Sequence, residues 1–288
     1  PRRGPGMPGT APGAGFHRLA RDVIGVSGAQ AGEYLQGQLS QDLSALEVGA
    51  SAFSFVLQPQ GKVDAFVRVT RTGDEDYALD VDAGWGEPLL ARLRRFLLRT
   101  RATVVPLDWS VIAVRGTVVA APPGGFAVQP ETPGAVGVDL LGPDLAAPAG
   151  LPALDPAAYE EQRIRAGVPR MGAELGESTI PASAGVVDRA VSFTKGCYTG
   201  QELVARIDAR GDRVPTRLRA VVAEGPPGTN GLVVGAAVEV DGRPVGTVTS
   251  AAGGVGLAYV RREVDVPAPA TAGGTAVRLE ALPLPPAG

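Results

Sequence analysis

One cysteine, Cys197, is the only thiol in 288 residues, so no intrachain disulfide can hold this chain together. The fold has to rest on buried surface. A chain of this length buries roughly three quarters of the surface its unfolded form exposes, enough for a core without staples. At about 150 residues per domain it makes two domains, or three small ones. The absence of disulfides also suits a reducing, cytoplasmic setting. The lone histidine is His17. One His and one Cys cannot build a zinc finger, a four-thiolate iron–sulfur site or a His-rich metal centre, so no metal site is expected. A Ser/His or Cys/His hydrolase is set aside for want of a partner histidine. Net charge is −3, which argues against non-specific binding to nucleic acid or to an anionic membrane. No stretch approaches the ~20 apolar residues of a membrane span. Residues 1–15 carry two arginines but no apolar run, so they do not read as a signal peptide. Their Pro/Gly content reads as a disordered tail.

The hydrophobic pattern is mixed, and it predicts an α+β chain. Ser27 and Gln30 resemble a capping box ahead of a short helix through Tyr34 and Leu35. Phe53 to Leu57 reads as a strand, and Pro59-Gln60-Gly61 as a turn. From Val63 to Arg71 the residues alternate: Val63, Ala65, Val67 and Val69 share one face, Asp64, Phe66, Arg68 and Thr70 the other. Tyr77 to Val81 alternates again. Leu89, Leu90, Leu93, Phe96 and Leu97 form one apolar stripe, predicting a helix over Glu87 to Arg99. Asp155-Pro156 is an N-cap followed by proline at the first helical position. That helix carries Tyr159 and Ile164 and stops at Gly167 and Pro169. From Leu218 onward the chain holds short β-like runs between Gly/Pro turns, with Asp241-Gly242 a strong hairpin signal; this predicts a small barrel or sandwich.

The most unusual stretch is Lys195-Gly-Cys-Tyr-Thr-Gly-Gln-Glu202, which holds the only cysteine and one of two lysines. Thr199 and Glu202 are spaced as a capping box, with Leu203, Val204 and Ile207 supplying an apolar face behind them. Cys197 then precedes a helix N-terminus, where the helix dipole and Lys195 would both favour its thiolate. The opposing reading is a buried, inert cysteine in a tight turn.

This stretch resembles the K-G-C-[FY]-x-G-Q-E signature of the YgfZ family of folate-binding proteins, relatives of the T-protein aminomethyltransferase of the glycine cleavage system. Tyr34-Leu-Gln-Gly-Gln-Leu-Ser-Gln-Asp42 is similar to that family's F-L-Q-G-Q-[LT]-T-x-D segment, and Pro59-Gln-Gly-Lys62 to its P-Q-G-[RK] turn. Leu93 to Arg99 resembles its R-[FY]-x-L-R helix, Arg163 to Pro169 its R-I-x-x-G-[IV]-P segment, and Gly246-Thr-Val-Thr-Ser250 its terminal G-x-V-T-S hairpin. In order and spacing these cover most of residues 22–260. The resemblance implies three domains around a central folate hole, with a C-terminal β-barrel. The expected divisions are a tail (1–15), an α+β domain (16–105), a second carrying the cysteine motif (106–212) and the barrel (213–288).

The resemblance also implies a function: binding tetrahydrofolate, or a one-carbon derivative of it, in support of iron–sulfur enzymes, including those that thiolate tRNA. The implied partners are folate and iron–sulfur proteins or their assembly factors, with no direct nucleic-acid or membrane contact. A classical enzyme is not expected. The alternatives are a tetrahydrofolate-dependent aminomethyltransferase and an adaptor that has lost folate. Two departures from the relatives bear on this choice. Where they commonly carry an acidic residue after Ile-Pro, this chain has Ser183. Where T-proteins carry paired acids after their Gly-rich turn, only Asp64 stands here.

The candidate catalytic residues are therefore Cys197 as a reactive thiol and Asp64 as an acid facing folate. Asp64 reads equally well as an outward polar position on its strand. The candidate folate-binding residues are Lys195, Tyr198, Gln201, Glu202, Arg206, Arg99 and Ser183. Five of these have a plainer reading. Lys195 is a solvated cation, Tyr198 fills the core, and Gln201 and Glu202 serve the helix start. Arg206, with Arg210, Arg213, Arg217 and Arg219, belongs to a solvated face. Asp42 reads as the cap of the turn that follows it.

Overall fold

The computed structural model describes residues 13–211, 213–225 and 231–285. Most of the tail expected over 1–15, along with Asp212, lies outside the described residues. The chain begins with β1 (Gly15–Leu19), β2 (Arg21–Ser27), α1 (Ala31–Gln38), β3 (Ser51–Leu57), β4 (Val63–Arg71), β5 (Asp76–Asp82) and α2 (Gly86–Leu97). It continues with β6 (Thr103–Leu107), β7 (Ser110–Arg115), β8 (Phe126–Val128), β9 (Gly137–Gly142), α3 (Pro156–Arg165), a 3-10 turn (Pro181–Ala184), α4 (Val187–Ala190) and α5 (Gln201–Asp208). The last strands are β10 (Thr216–Ala223), β11 (Ala237–Val240), β12 (Arg243–Ala252), β13 (Val255–Arg261), β14 (Ala268–Ala272) and β15 (Thr275–Glu280).

These strands make three sheets. A five-stranded sheet runs β3-β4-β5-β2-β6, and a four-stranded sheet runs β1-β7-β9-β8. The terminal strands close into a six-stranded barrel, β10-β13-β12-β11-β14-β15, as the short β runs predicted. Helices α1 and α2 cover one face of the five-stranded sheet, joining Leu35, Phe55, Leu79, Leu89 and Leu93 in the main core. The four-stranded sheet covers the other face, where Val23 and Ala78 meet Val111, Val128 and Leu141. Helix α3 seats Ile164 on the barrel against Leu218, Val255 and Leu257. Its predicted N-cap is present: the Asp155 carboxylate accepts from the Ala157 and Ala158 amides.

Several expectations are corrected by this packing. Strand β4 alternates as read, yet both of its faces are buried. The polar face carrying Arg68 and Thr70 is roofed by the second sheet, so Arg68 is fully buried. Such a charge is tolerable only when paired. Arg68 Nε donates to Asp80 at 2.9 Å and Nη1 to Asp139 at 2.6 Å. Arg21 pairs with Asp80 at 2.9 Å and with Asp82 at 2.7 Å. Arg115 donates to Asp139 at 2.6 Å and to the Tyr159 hydroxyl at 2.9 Å, and that hydroxyl donates to Glu131 at 2.8 Å. Burial alone would raise Asp80, but Arg68 and Arg21 hold it below the ordinary carboxylate value. This chain of charges joins the two sheets and α3.

Strands β1 and β2 have no clear signal in the sequence, because Arg18, Arg21 and Asp22 break the apolar pattern. Residue Gly15 already opens β1, so the tail ends before it. Strand β14 is likewise hidden in the sequence by its Pro269 and small residues. Helix α1 starts after Gln30 without a side-chain cap, because Ser27 is still the last residue of β2. Helix α2 ends at Leu97, two residues short of Arg99, where Leu98 turns to φ 44°.

Replacing Asp139 by Ala strands two buried guanidinium groups. We expect a loss of about 3–5 kcal/mol of stability, read by chemical denaturation. An unchanged midpoint would mean that the pairs contribute nothing to holding the two sheets.

Candidate functional site

The cysteine motif folds onto two of the other motifs, and Lys195 is the reason. Its ammonium is buried and donates to three backbone carbonyls: Gln36 at 2.8 Å, Leu39 at 2.7 Å and Gln41 at 2.9 Å. The Gln36 and Leu39 carbonyls are acceptors that the end of α1 leaves open, and Gln41 lies in the segment just beyond it. Burial pulls the ammonium down to about 8, with Asp42 acting in the opposite sense. The Thr199 amide donates to Gly37 O at 3.1 Å, and the Ser192 amide to Ser40 O at 2.9 Å. The Pro59–Lys62 turn closes the other side. A Cβ on Gly200 would lie 2.4 Å from the Gln58 carbonyl, and one on Gly61 would lie 2.5 Å from Leu203 Cβ. Both positions need a bare backbone, and both have positive φ.

That close approach alters the start of α5. Gly200, at φ 81°, is its N-cap, and the expected Thr199–Glu202 capping box does not form. Instead Gln201 Oε1 accepts from the Tyr198 amide at 3.2 Å, while Glu202 is exposed. Cys197 is exposed and stands four residues before the helix. All three donors of the Lys195 ammonium are spent on carbonyls, so none is left to hydrogen-bond the Cys197 sulfur. Tyr198 is buried in the main core, with the Lys195 ammonium 5.3 Å from its ring centre; burial raises its phenol to about 12. Asp42 accepts from the Gln36 side chain at 2.8 Å and the Ser44 amide at 2.9 Å, capping its turn.

A second feature lies where the sheets, the 171–183 segment and the barrel meet. Two cavities adjoin there. The larger, about 480 Å³, is lined by Trp85, Glu174, Thr179, Ser183, Thr216 and Tyr259, among others. The smaller, about 290 Å³, is lined by Asp64, Trp85, Leu89, Arg92, Arg95 and Glu177 among others. Glu174 is buried and fully engaged. Its Oε1 accepts from Thr249 and Ser250, each at 2.6 Å, and its Oε2 from the Arg170 amide at 3.0 Å and Arg163 at 3.4 Å. It thereby ties the 171–183 segment to the barrel hairpin that carries the Gly246–Ser250 motif. The Tyr259 hydroxyl is buried and has no hydrogen-bond partner among the described residues. Asp64 accepts from Arg92 at 3.0 Å; the same guanidinium donates to Gln38 Oε1 and to the Leu57 carbonyl, each at 3.0 Å, and lies 3.9 Å from the Phe96 ring centre.

The candidate residues thus fall into separate groups. Asp64 and Ser183 line the crevice. Lys195, Tyr198 and Gln201 build the motif corner around Cys197. Arg99 and Arg206 are exposed on the surface. Trp85, Tyr259 and Glu174 were not picked out from sequence. One signal existed for Trp85, one of two tryptophans and set between two glycines; nothing local marks Glu174. Among the described residues no group of three His, Cys, Asp or Glu is placed to hold a metal ion, and no helix is long and apolar enough to cross a membrane.

Comparison with known proteins places this geometry. Residues 216–285 match the family model described as the CAF17 C-terminal beta-barrel domain. The chain is similar to the mitochondrial iron–sulfur cluster assembly factor IBA57 homolog of Pyricularia oryzae, with 32% identity over 87% of this chain and 72% of that protein. It is 29% identical to the tRNA-modifying protein YgfZ of Sodalis glossinidius over 66% of this chain and 65% of that one. The crystal structure of glycine cleavage system aminomethyltransferase T from Bartonella henselae superposes with a TM-score of 0.78, covering 94% of this chain and 86% of that one at 19% identity. The T-protein-like fold expected from the sequence is therefore the fold observed.

Lys195→Ala should cost about 3 kcal/mol, because three buried carbonyls lose their donor together. Lys195→Arg should not restore it, since a planar guanidinium cannot place one nitrogen among three converging acceptors. Thermal melting of both variants checks this. A wild-type melting temperature for Lys195→Ala would contradict it.

Proposed function

Because the chain belongs to the family of the YgfZ and IBA57 proteins, we propose that it is a tetrahydrofolate-binding accessory factor for assembling or maintaining iron–sulfur clusters, supporting tRNA modification through the enzymes it serves. Its relation to an assembly factor across most of its length carries this reading. Its partners are then iron–sulfur proteins or their assembly factors, its contact with RNA is indirect, and its location is cytoplasmic.

The crevice suits the ligand. Its larger cavity falls within the roughly 300–1,000 Å³ of small-molecule sites. It offers the Trp85 ring, the Ser183 hydroxyl and the unpartnered Tyr259 hydroxyl. Its one deeply buried carboxylate, Glu174, is already satisfied, so the ring seated there meets mainly neutral groups. Asp64 contributes an acid to the adjoining cavity, already paired with Arg92. Tetrahydrofolate, when bound, supplies a carrier for one-carbon units. Cys197 acts outside the crevice, as an exposed thiol. A single thiolate does not hold a cluster, so it serves jointly with a partner's ligands. The position of Asp64 favours aminomethyl transfer as the second reading, because that reaction needs an acid to handle the leaving amine.

Anaerobic calorimetry with tetrahydrofolate should show saturable micromolar binding. No binding up to millimolar concentration would replace the reading with a folate-free adaptor. Cys197→Ala should keep the wild-type folate affinity while lowering the activity of iron–sulfur enzymes in cells carrying only that variant. Normal enzyme activity there would remove the thiol role. Release of ammonia from an aminomethylated carrier protein would select the transferase instead.

A further inference from the structure

Trp85 is common to both cavities of the crevice. Its backbone is fixed on both sides. The Trp85 amide donates to Asp82 O at 3.1 Å, and its carbonyl accepts from the Leu89 amide at 3.0 Å as the N-cap of α2. Part of the indole packs on the main core, and the residue is only half-buried. Among the described residues its indole N–H has no acceptor. Gly172 lies close against one edge of the ring. Gly172 has φ +83°, and a Cβ there would come within 3.4 Å of Trp85 Nε1. A large ring on a fixed backbone, left bare towards two adjoining cavities, is poorly explained by packing alone. Tyr259 adds a second ring to the larger cavity, and a hydroxyl that lacks a partner.

We propose that Trp85 is a ligand-binding residue, and that the two cavities are one bipartite site whose ligand is laid across the indole. This rests on the tetrahydrofolate reading and assigns the ligand's placement within it. The ligand's flat, uncharged pyrimidinone ring occupies the larger cavity against Trp85, where Glu174 has no oxygen to spare. The remainder of the ligand passes the indole into the smaller cavity, beside Asp64 and Arg92.

The test uses the fact that the chain has two tryptophans. Trp109 stands elsewhere, 6.1 Å from Phe126 between ring centres. In a Trp109→Phe protein, Trp85 is the sole tryptophan reporter. Its emission should change on addition of tetrahydrofolate, saturating at the midpoint found by calorimetry. Trp85→Ala should weaken binding about tenfold, in line with the loss of one ring-on-ring contact. Trp85→Phe, which keeps a ring, should lose only two- to threefold and controls for folding of the smaller variant. Calorimetric binding with unchanged Trp85 emission and undiminished affinity in Trp85→Ala overturns the placement and leaves the folate reading standing. Absence of binding by the wild-type protein removes the folate reading, and the placement with it.

Discussion

Buried guanidinium–carboxylate pairing holds the molecule to one arrangement. Arg68, buried between two sheets, has Asp80 on one side and Asp139 on the other; Arg21 and Arg115 extend the chain at either end. Apolar surface would press two sheets together in many registers. Charges that must be neutralised pair by pair allow far fewer. The crevice walls hang on the same network. Asp82, paired with Arg21, also accepts the Met171 amide at 2.8 Å, and so sets the start of the segment that carries Glu174 and Ser183. Arg189 donates to the Glu131 carbonyl at 2.9 Å and lies 3.8 Å from the Phe53 ring centre, fixing α4 beside it.

Two different kinds of site result. The corner made by the end of α1, the Pro59–Lys62 turn and the Lys195–Glu202 segment is structural in its interior. A lysine serves as a helix C-cap, two glycines permit backbone contact, and the outcome is one exposed thiol on a fixed loop. The crevice is the reverse, a space walled by rings and hydroxyls, with its Asp64 and Glu174 carboxylates already engaged. Arg92 links the two, touching Asp64 in the crevice and Gln38 at the end of the helix that Lys195 caps. The motifs on which the family resemblance rests therefore report mainly the corner and its presentation of Cys197. The crevice draws in part on residues outside those motifs, Trp85, Glu174 and Tyr259 among them.

This division explains what the sequence made legible. Local rules worked where local forces decide the outcome. The Asp155 cap, the apolar stripe of α2 and the short barrel strands all appeared as read. They failed where distant segments impose themselves. The polar face of β4 looks solvent-facing until a second sheet covers it. Thr199 and Glu202 have capping-box spacing, but Gly200 must press against the Gln58 carbonyl, and this moves the helix start. Lys195 looks like a solvated cation because nothing nearby in sequence reveals three waiting carbonyls. Trp85, Glu174 and Tyr259 lie on three separate parts of the chain, and only tertiary structure brings them to one cavity.

Hydrogen–deuterium exchange with and without tetrahydrofolate addresses the central claim most directly, that the ligand occupies the crevice and not the cysteine corner. With the ligand in the crevice, exchange slows at the start of α2 near Trp85 and across the segment 171–179, and the amides of 195–202 are unchanged. Protection confined to 195–202 would contradict it and would move the ligand to the loop that carries Cys197.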